Sequence, residues 1–124
     1  MNNAHLQVIA AIQSARRSLR WRSGKAAGHL AKRIRLGHLP PGTTLGEYEA
    51  LIQRVLAEPN ADVYLFRFRE TPYPTIVHFA SGRLWLVMLD MDGVMETAFL
   101  VEKPDEYFAD PRFERLGFLQ ELEE

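Results

Sequence analysis

The pattern of apolar and polar positions changes once along the chain, close to Asn60. Before that point apolar side chains recur every three or four residues, which is the period of an amphipathic helix. The first helix is predicted over residues about 4 to 20, and its apolar positions are Val8, Ile12, Ala15 and Leu19. The second helix is predicted over about 25 to 35, and its apolar side consists of Ala27, Leu30, Ala31 and Ile34.

A third helix is predicted after a break in the chain. The sequence LPPG at 39–42 cannot continue a helix, because proline lacks an amide proton. Thr44 and Glu47 then have the spacing of a capping box, which marks a helix start. The apolar positions that follow are Leu45, Tyr48, Leu51, Ile52, Val55 and Leu56. This helix is expected to end before Pro59.

Beyond Asn60 the chain is rich in short runs of β-branched and aromatic residues, as strands are. The runs are DVYLFRFR (62–69), TIVHFA (75–80), RLWLVML (83–89) and VMETAFLV (94–101). The pairs SG at 81–82 and DG at 92–93 are tight-turn sequences, so the last three runs should form an antiparallel meander. We therefore expect one α+β domain over residues 1–124: N-terminal helices (about 1–58) packed on a four-stranded antiparallel sheet (about 61–102), and a short helical tail at 104–124.

The formal net charge of -1 conceals a strong division of charge along the chain. Residues 1–46 contain eight of the 15 lysines and arginines and no acid, whereas all 16 acids lie from Glu47 onward. A concentrated basic segment can neutralise phosphates, which makes nucleic acid the leading class of partner. The alternative is that the two halves neutralise each other within the fold.

Other features of the sequence exclude several classes of protein and site. There is no cysteine, which excludes disulfides and thiolate metal ligands. The longest apolar run, LWLVML at 84–89, is far shorter than the about 20 residues of a membrane span. Asp90 and Asp92 resemble the first motif of haloacid-dehalogenase-type phosphatases, but only 31 residues follow Gly93, too few for that fold. The four histidines lack zinc-ligand spacing, so no metal or other cofactor is predicted.

The stretch GHLAKRIRLGH at 28–38 carries groups that can cleave RNA without a metal. Such cleavage needs a base for the 2'-hydroxyl, a cation for the phosphorane and a proton for the leaving oxygen. His29, Lys32 and Arg33 are spaced so that they share one side of the second helix, which we expect to be its polar side. The cations placed to hold flanking phosphates are Arg22, Lys25 and Arg35. Thr97 is the candidate hydroxyl donor, although it also suits a strand by propensity alone.

Two segments resemble a known family of toxins. They are SGKAAGHLAKRIRLGHLPPGTTLGEYEALIQRVL and RLWLVMLDMDGVMETAFLVEKPDEYF, within residues 21–108. Their order and spacing are similar to those of toxin domains in the barnase, EndoU, colicin and RelE-like ribonuclease superfamily. These domains occur at the C-termini of contact-dependent inhibition proteins and other polymorphic bacterial toxins.

The resemblance implies a metal-independent endoribonuclease that cleaves tRNA by attack of the 2'-hydroxyl. It implies that Lys32 stabilises the phosphorane, that Thr97 positions the phosphate and that His29 assists. His38 resembles a position that varies in the family, and we assign it to substrate binding. The family commonly has a histidine where Arg33 stands, and arginine does not exchange protons near neutral pH. Either His29 or His38 is the base, or cations replace the imidazole as in RelE-type members, or Arg33 inactivates the enzyme.

The resemblance also implies a partner and a location. We expect a monomer that is delivered as a secreted bacterial effector domain into the cytoplasm of a target cell. An acidic immunity protein would keep it silent by charge complementarity. Two other functions fit the same charges: a non-catalytic RNA- or DNA-binding module, and a protein-interaction domain whose basic helices dock on an acidic partner.

Overall fold

The computed structural model describes residues 3–124. Three long helices lead the chain, with one short strand between the first and the second, and the remaining strands follow. The helices are α1 (Asn3–Arg17), α2 (Ala26–Arg35), α3 (Leu45–Leu56), α4 (Pro104–Tyr107) and α5 (Leu119–Leu122). The strands are β1 (Arg20–Trp21), β2 (Asp62–Phe68), β3 (Thr71–Ala80), β4 (Arg83–Leu89), β5 (Val94–Leu100) and β6 (Phe113–Phe118). Within residues 3–124, no helix is long and apolar enough to span a bilayer.

The α+β class is confirmed, but the sheet is larger than predicted. It has six strands in the order β1-β5-β4-β3-β2-β6. Strands β2 to β5 form the predicted antiparallel meander, with turns at 81–82 and 92–93. The predicted four-stranded antiparallel sheet is wrong at both edges, because β1 adds a parallel pair to β5 and β6 adds an antiparallel pair to β2.

The tail beyond 104, which we predicted to be helical, contains the edge strand β6. Residues 102–112 lead from β5, near one edge of the sheet, to β6 at the opposite edge. The ring of Phe108 stacks on Tyr64 of β2, with centroids 4.5 Å apart. The connection is therefore held across the sheet by aromatic packing, and this places residues 113–118 beside β2. Short helices remain only at α4 and α5.

Hydrophobic residues cover both faces of the sheet. On one face, α1 and α3 pack against the strands, and the fully buried side chains there include Ile12, Ile52, Ile76, Trp85 and Val87. On the other face, a smaller cluster consists of Val77, Leu86, Met88 and Val101, with Phe99 and Phe108 packed against it. The sheet is therefore the middle layer, and the helices supply the larger core.

The outer edge of β5 is closed by side chains rather than by another long strand. The hydroxyl of Tyr48 on α3 donates to the carbonyl oxygen of Ala98 at 2.6 Å. The amide of Leu100 donates to Nδ1 of His38, just after α2, at 3.3 Å. These bonds satisfy backbone groups that an open edge would leave exposed to other chains. They also fix the end of α2 beside β5, which positions the site described next.

Candidate functional site

A basic groove runs along the outer face of α2. It has a volume of about 310 Å³ and is lined by Gly24, Lys25, Gly28, His29 and Lys32. Residues 25, 28, 29 and 32 lie on one helical face because they are three or four positions apart. A side chain at position 28 would occupy open space, so this glycine leaves the middle of the groove free. The groove therefore presents two lysines and one imidazole around a shallow floor.

His29 is held in the groove by an aromatic contact. Its ring lies 5.4 Å from that of Trp21, centroid to centroid, and the Trp21 indole N–H donates to Glu49 at 2.9 Å. Burial lowers the pKa of His29, and the nearby cations Arg33 and Lys32 lower it further. Near neutral pH the imidazole is therefore uncharged and able to accept a proton.

Arg33 does not belong to the groove. The prediction that it shares the polar side of α2 with His29 and Lys32 is wrong, because its side chain is only 4% exposed. Its guanidinium lies over the ring of Phe99, 5.6 Å from the centroid, and Nη1 is 3.3 Å from Nδ1 of His38. Nε is buried and has no hydrogen-bond partner among the described residues. Burial disfavours the charged form of the guanidinium and so lowers the pKa of Arg33.

The inward face of α2 also differs from the predicted one. Ala27 and Ala31, which we placed on the apolar side, are exposed, whereas Leu30 and Ile34 are partly buried as expected. The predicted and the observed inward faces both fit a helical period, and they differ by a rotation of the helix about its axis that corresponds to one residue. The rotation observed turns Arg33 toward β5 and leaves Lys32 in solvent.

His38 lies at the junction of α2 and β5 rather than in the groove. Its Nδ1 faces two groups that can only donate, the amide of Leu100 and the guanidinium of Arg33. Burial lowers the pKa of His38, with further contributions from Arg33 and Arg83. The ring is therefore neutral near pH 7, and its single proton is on Nε2.

The other predicted phosphate-binding cations fall into two groups. Arg22 forms ion pairs with Glu96 and with Asp90, the latter at 3.4 Å, and the bond to Glu96 raises its pKa. Lys25 and Arg35 are exposed, the first in the groove and the second in the last turn of α2. Part of the basic surplus is thus neutralised within the fold, as the alternative interpretation of the charges expects.

Thr97 lies on β5 opposite Met88 and is not among the residues that line the groove. A bulge next to it makes Glu96 an extra residue in the strand, because Leu89 pairs with Met95 and Met88 pairs with Thr97. The structure thus brings Lys25, His29 and Lys32 together, pairs Arg33 with His38, and places Thr97 on a separate element. Sequence reasoning missed Glu96, although it is the only charge in the run 94–101.

Comparisons of this chain with protein-family profiles, with curated proteins and with solved structures find no match.

Proposed function

We propose that this domain is a metal-independent endoribonuclease that binds RNA in the groove of α2. The observation that carries the proposal is the position of the His29 imidazole between two exposed lysines on one helical face, where burial lowers its pKa. An enzyme that deprotonates a 2'-hydroxyl needs a base that is unprotonated at its working pH, and it needs a cation beside that base. His29 and Lys32 supply these two requirements.

The reaction follows from these positions. His29 takes the proton of the 2'-hydroxyl, and the 2'-oxygen forms a bond to the adjacent phosphorus. Lys32 stabilises the charge of the phosphorane. The bond from phosphorus to the 5'-oxygen then breaks, and that oxygen takes a proton from Lys25 or from water. The products are a 2',3'-cyclic phosphate and a free 5'-hydroxyl.

The toxin family commonly has a histidine at the position of Arg33, and the burial of Arg33 indicates how the chain could act without one. A guanidinium that is buried against Phe99 is neither exposed to substrate nor able to exchange a proton. Its charge disfavours protonation of His29 and so supports His29 as the base. Of the three explanations for Arg33, this favours the one in which another histidine performs the proton transfer.

The test is cleavage of total bacterial RNA in EDTA by the unmodified chain and three variants. We expect discrete fragments from the unmodified chain, and a loss of about 10²-fold or more for His29→Ala and for Lys32→Ala. Arg17→Ala is the matched control, because Arg17 is an exposed cation on α1, outside the groove. Cleavage that persists in His29→Ala would refute its role as the base.

The finer parts of the proposal come from the family resemblance. We propose tRNA as the substrate, an acidic immunity protein as the inhibitor, and delivery into the cytoplasm of a target cell as the setting. Purified tRNA as substrate tests the first. Protection of tRNA by the product of a neighbouring acidic reading frame tests the second.

A non-catalytic RNA-binding module is the second candidate, and the position of Thr97 outside the groove favours it. In this case the domain lacks the usual histidine and keeps only the phosphate contacts of Lys25, Lys32 and Arg35. Three such contacts to single-stranded RNA predict a slope of about -2 for log K against log salt. Binding with this slope and intact RNA in every lane would select the module over the enzyme.

A further inference from the structure

A second cavity lies at the C-terminal end of α2 and has no role in the proposed reaction. It has a volume of about 480 Å³ and opens where β5 meets α4. The side chains that bear chemistry on its wall are His38, Phe99, Glu102, Lys103, Glu106 and Tyr107. The cavity thus combines two aromatic rings, one imidazole, one ammonium and two carboxylates.

The aromatic rings form two walls of this cavity. The rings of Phe99 and Tyr107 are 6.0 Å apart and nearly perpendicular, at 78°. Arg33 lies over Phe99 and, together with the packing of the strand, holds it in place. Nucleobases and other flat aromatic ligands stack on such side chains, and the strength of stacking depends little on which base is bound.

The hydrogen-bonding groups of the cavity have fixed polarity. The Nδ1 atom of His38 accepts from Leu100 and faces Arg33, so the proton of the neutral ring is on Nε2, which can only donate. Glu102 and Glu106 are exposed carboxylates and can only accept. With one ammonium against two carboxylates, the wall favours a neutral ligand with N–H groups over a phosphate.

The position of the cavity relative to the groove suits one strand of RNA. The amide of His38 donates to the carbonyl oxygen of Arg33 at 2.8 Å, so the cavity begins at the C-terminal end of α2. The groove lies over the N-terminal two thirds of the same helix, whose ten residues span about 15 Å. The partial negative charge at a helix C-terminus disfavours phosphate there, whereas an uncharged base is unaffected.

We infer that this cavity binds an unpaired nucleobase that carries an exocyclic amino group, from the RNA strand whose phosphates lie in the groove. This inference rests on the proposed RNA-binding function. The ring stacks on Tyr107 and meets Phe99 edge to face, the amino group donates to Glu102 or Glu106, and a ring acceptor accepts a hydrogen bond from Nε2 of His38. Uracil is disfavoured, because it has no amino group and the carbonyls beside its N3–H repel the carboxylates.

The test compares two 2'-O-methyl oligonucleotides of eight residues, oligo(C) and oligo(U), which cannot be cleaved because the attacking hydroxyl is blocked. Cytosine and uracil have the same ring size and differ at the edge that the carboxylates would contact. We expect oligo(C) to bind the unmodified protein about tenfold more tightly at fixed salt, the effect of one good hydrogen-bonding discrimination.

Two variants separate stacking from recognition of the amino group. Tyr107 is 38% exposed, so Tyr107→Ala should fold, and it is expected to weaken oligo(C) binding about tenfold. Phe79→Ala is the matched control: Phe79 is 63% exposed and lies outside the cavity, and its loss should change neither affinity. In the double variant Glu102→Gln and Glu106→Gln, the new amide groups can donate to the carbonyls of uracil. The preference for oligo(C) should therefore fall to less than about threefold. Glu70→Gln is the control, because Glu70 lies outside the cavity, and it should preserve the preference.

The outcomes distinguish this inference from the proposed function. Binding of neither oligonucleotide would refute the RNA-binding proposal and the cavity with it. Equal binding of both by the unmodified protein, with Tyr107→Ala silent, would refute the cavity and leave RNA binding intact. Equal weakening of both by Tyr107→Ala, without a preference, would overturn recognition of the amino group.

Discussion

Replacing Arg33 by methionine is expected to stabilise the fold. Arg33 is 4% exposed, and no carboxylate pairs with its guanidinium among the described ion pairs. The effective cost of burying such an ion is several kcal/mol. Methionine keeps the apolar stem beside Phe99 and removes the charge, so this cost disappears.

The interactions that Arg33→Met removes are weaker than this cost of burial. The bond to Nδ1 of His38 is long at 3.3 Å and contributes about 1 kcal/mol, and the stacking on Phe99 contributes about 1 kcal/mol. His38 keeps its bond from the Leu100 amide, so no new buried group is left unsatisfied. The net expectation is a gain of about 1–2 kcal/mol in the free energy of unfolding.

Urea and thermal denaturation measure this gain. A domain of this size should show a rise in Tm of about 5 °C. The control is Arg17→Met on the exposed face of α1, which should change stability by less than about 0.5 kcal/mol. A decrease of more than about 1 kcal/mol in Arg33→Met would show that the interactions of the guanidinium outweigh its desolvation, and would refute the reasoning.

Three further predictions concern stability. Gly93→Ala should cost more than about 1 kcal/mol in urea denaturation, because φ is +84° and a Cβ atom would lie 2.7 Å from the Ala11 carbonyl oxygen; an unchanged midpoint would contradict this. Tyr48→Phe should cost about 1–3 kcal/mol, because the buried carbonyl of Ala98 loses its donor at 2.6 Å, and hydrogen exchange should rise at the β5 edge. Stability should fall as the pH drops through about 6.5, because the pKa of His29 is lower in the fold than in the unfolded chain, which therefore takes up the proton first. NMR titration of the imidazole gives the pKa directly, and a value above about 6.5 would reverse the sign.

Local interactions explain what could be predicted from the sequence. Thr44 and Glu47 form the predicted capping box, with bonds of 3.1 and 2.9 Å in the two directions. The tight turns at 81–82 and 92–93 join the predicted hairpins. These features depend on residues within a few positions of one another, so the chain specifies them without reference to the rest of the fold.

Short edge strands depend instead on distant partners. Strand β1 has two residues, and its backbone is ordered by Val94 and Met95, more than 70 positions away. Strand β6 is ordered by β2, about 50 positions away, after residues 102–112 have carried the chain from one side of the sheet to the other. Neither segment has enough alternation to identify it as a strand.

The sequence by itself determined that basic residues cluster in the second helix, and that Lys25, His29 and Lys32 share one side of it. Only the tertiary structure decided that Arg33 turns inward, because two adjacent rotations of α2 satisfy the helical period and the edge of β5 selects one of them. Burial in the fold also shifts the ionisation of side chains: it lowers the pKa of His29 and leaves Nε of Arg33 without a hydrogen-bond partner among the described residues. Both effects come from desolvation, which depends on what surrounds a side chain in space and not on its neighbours along the chain.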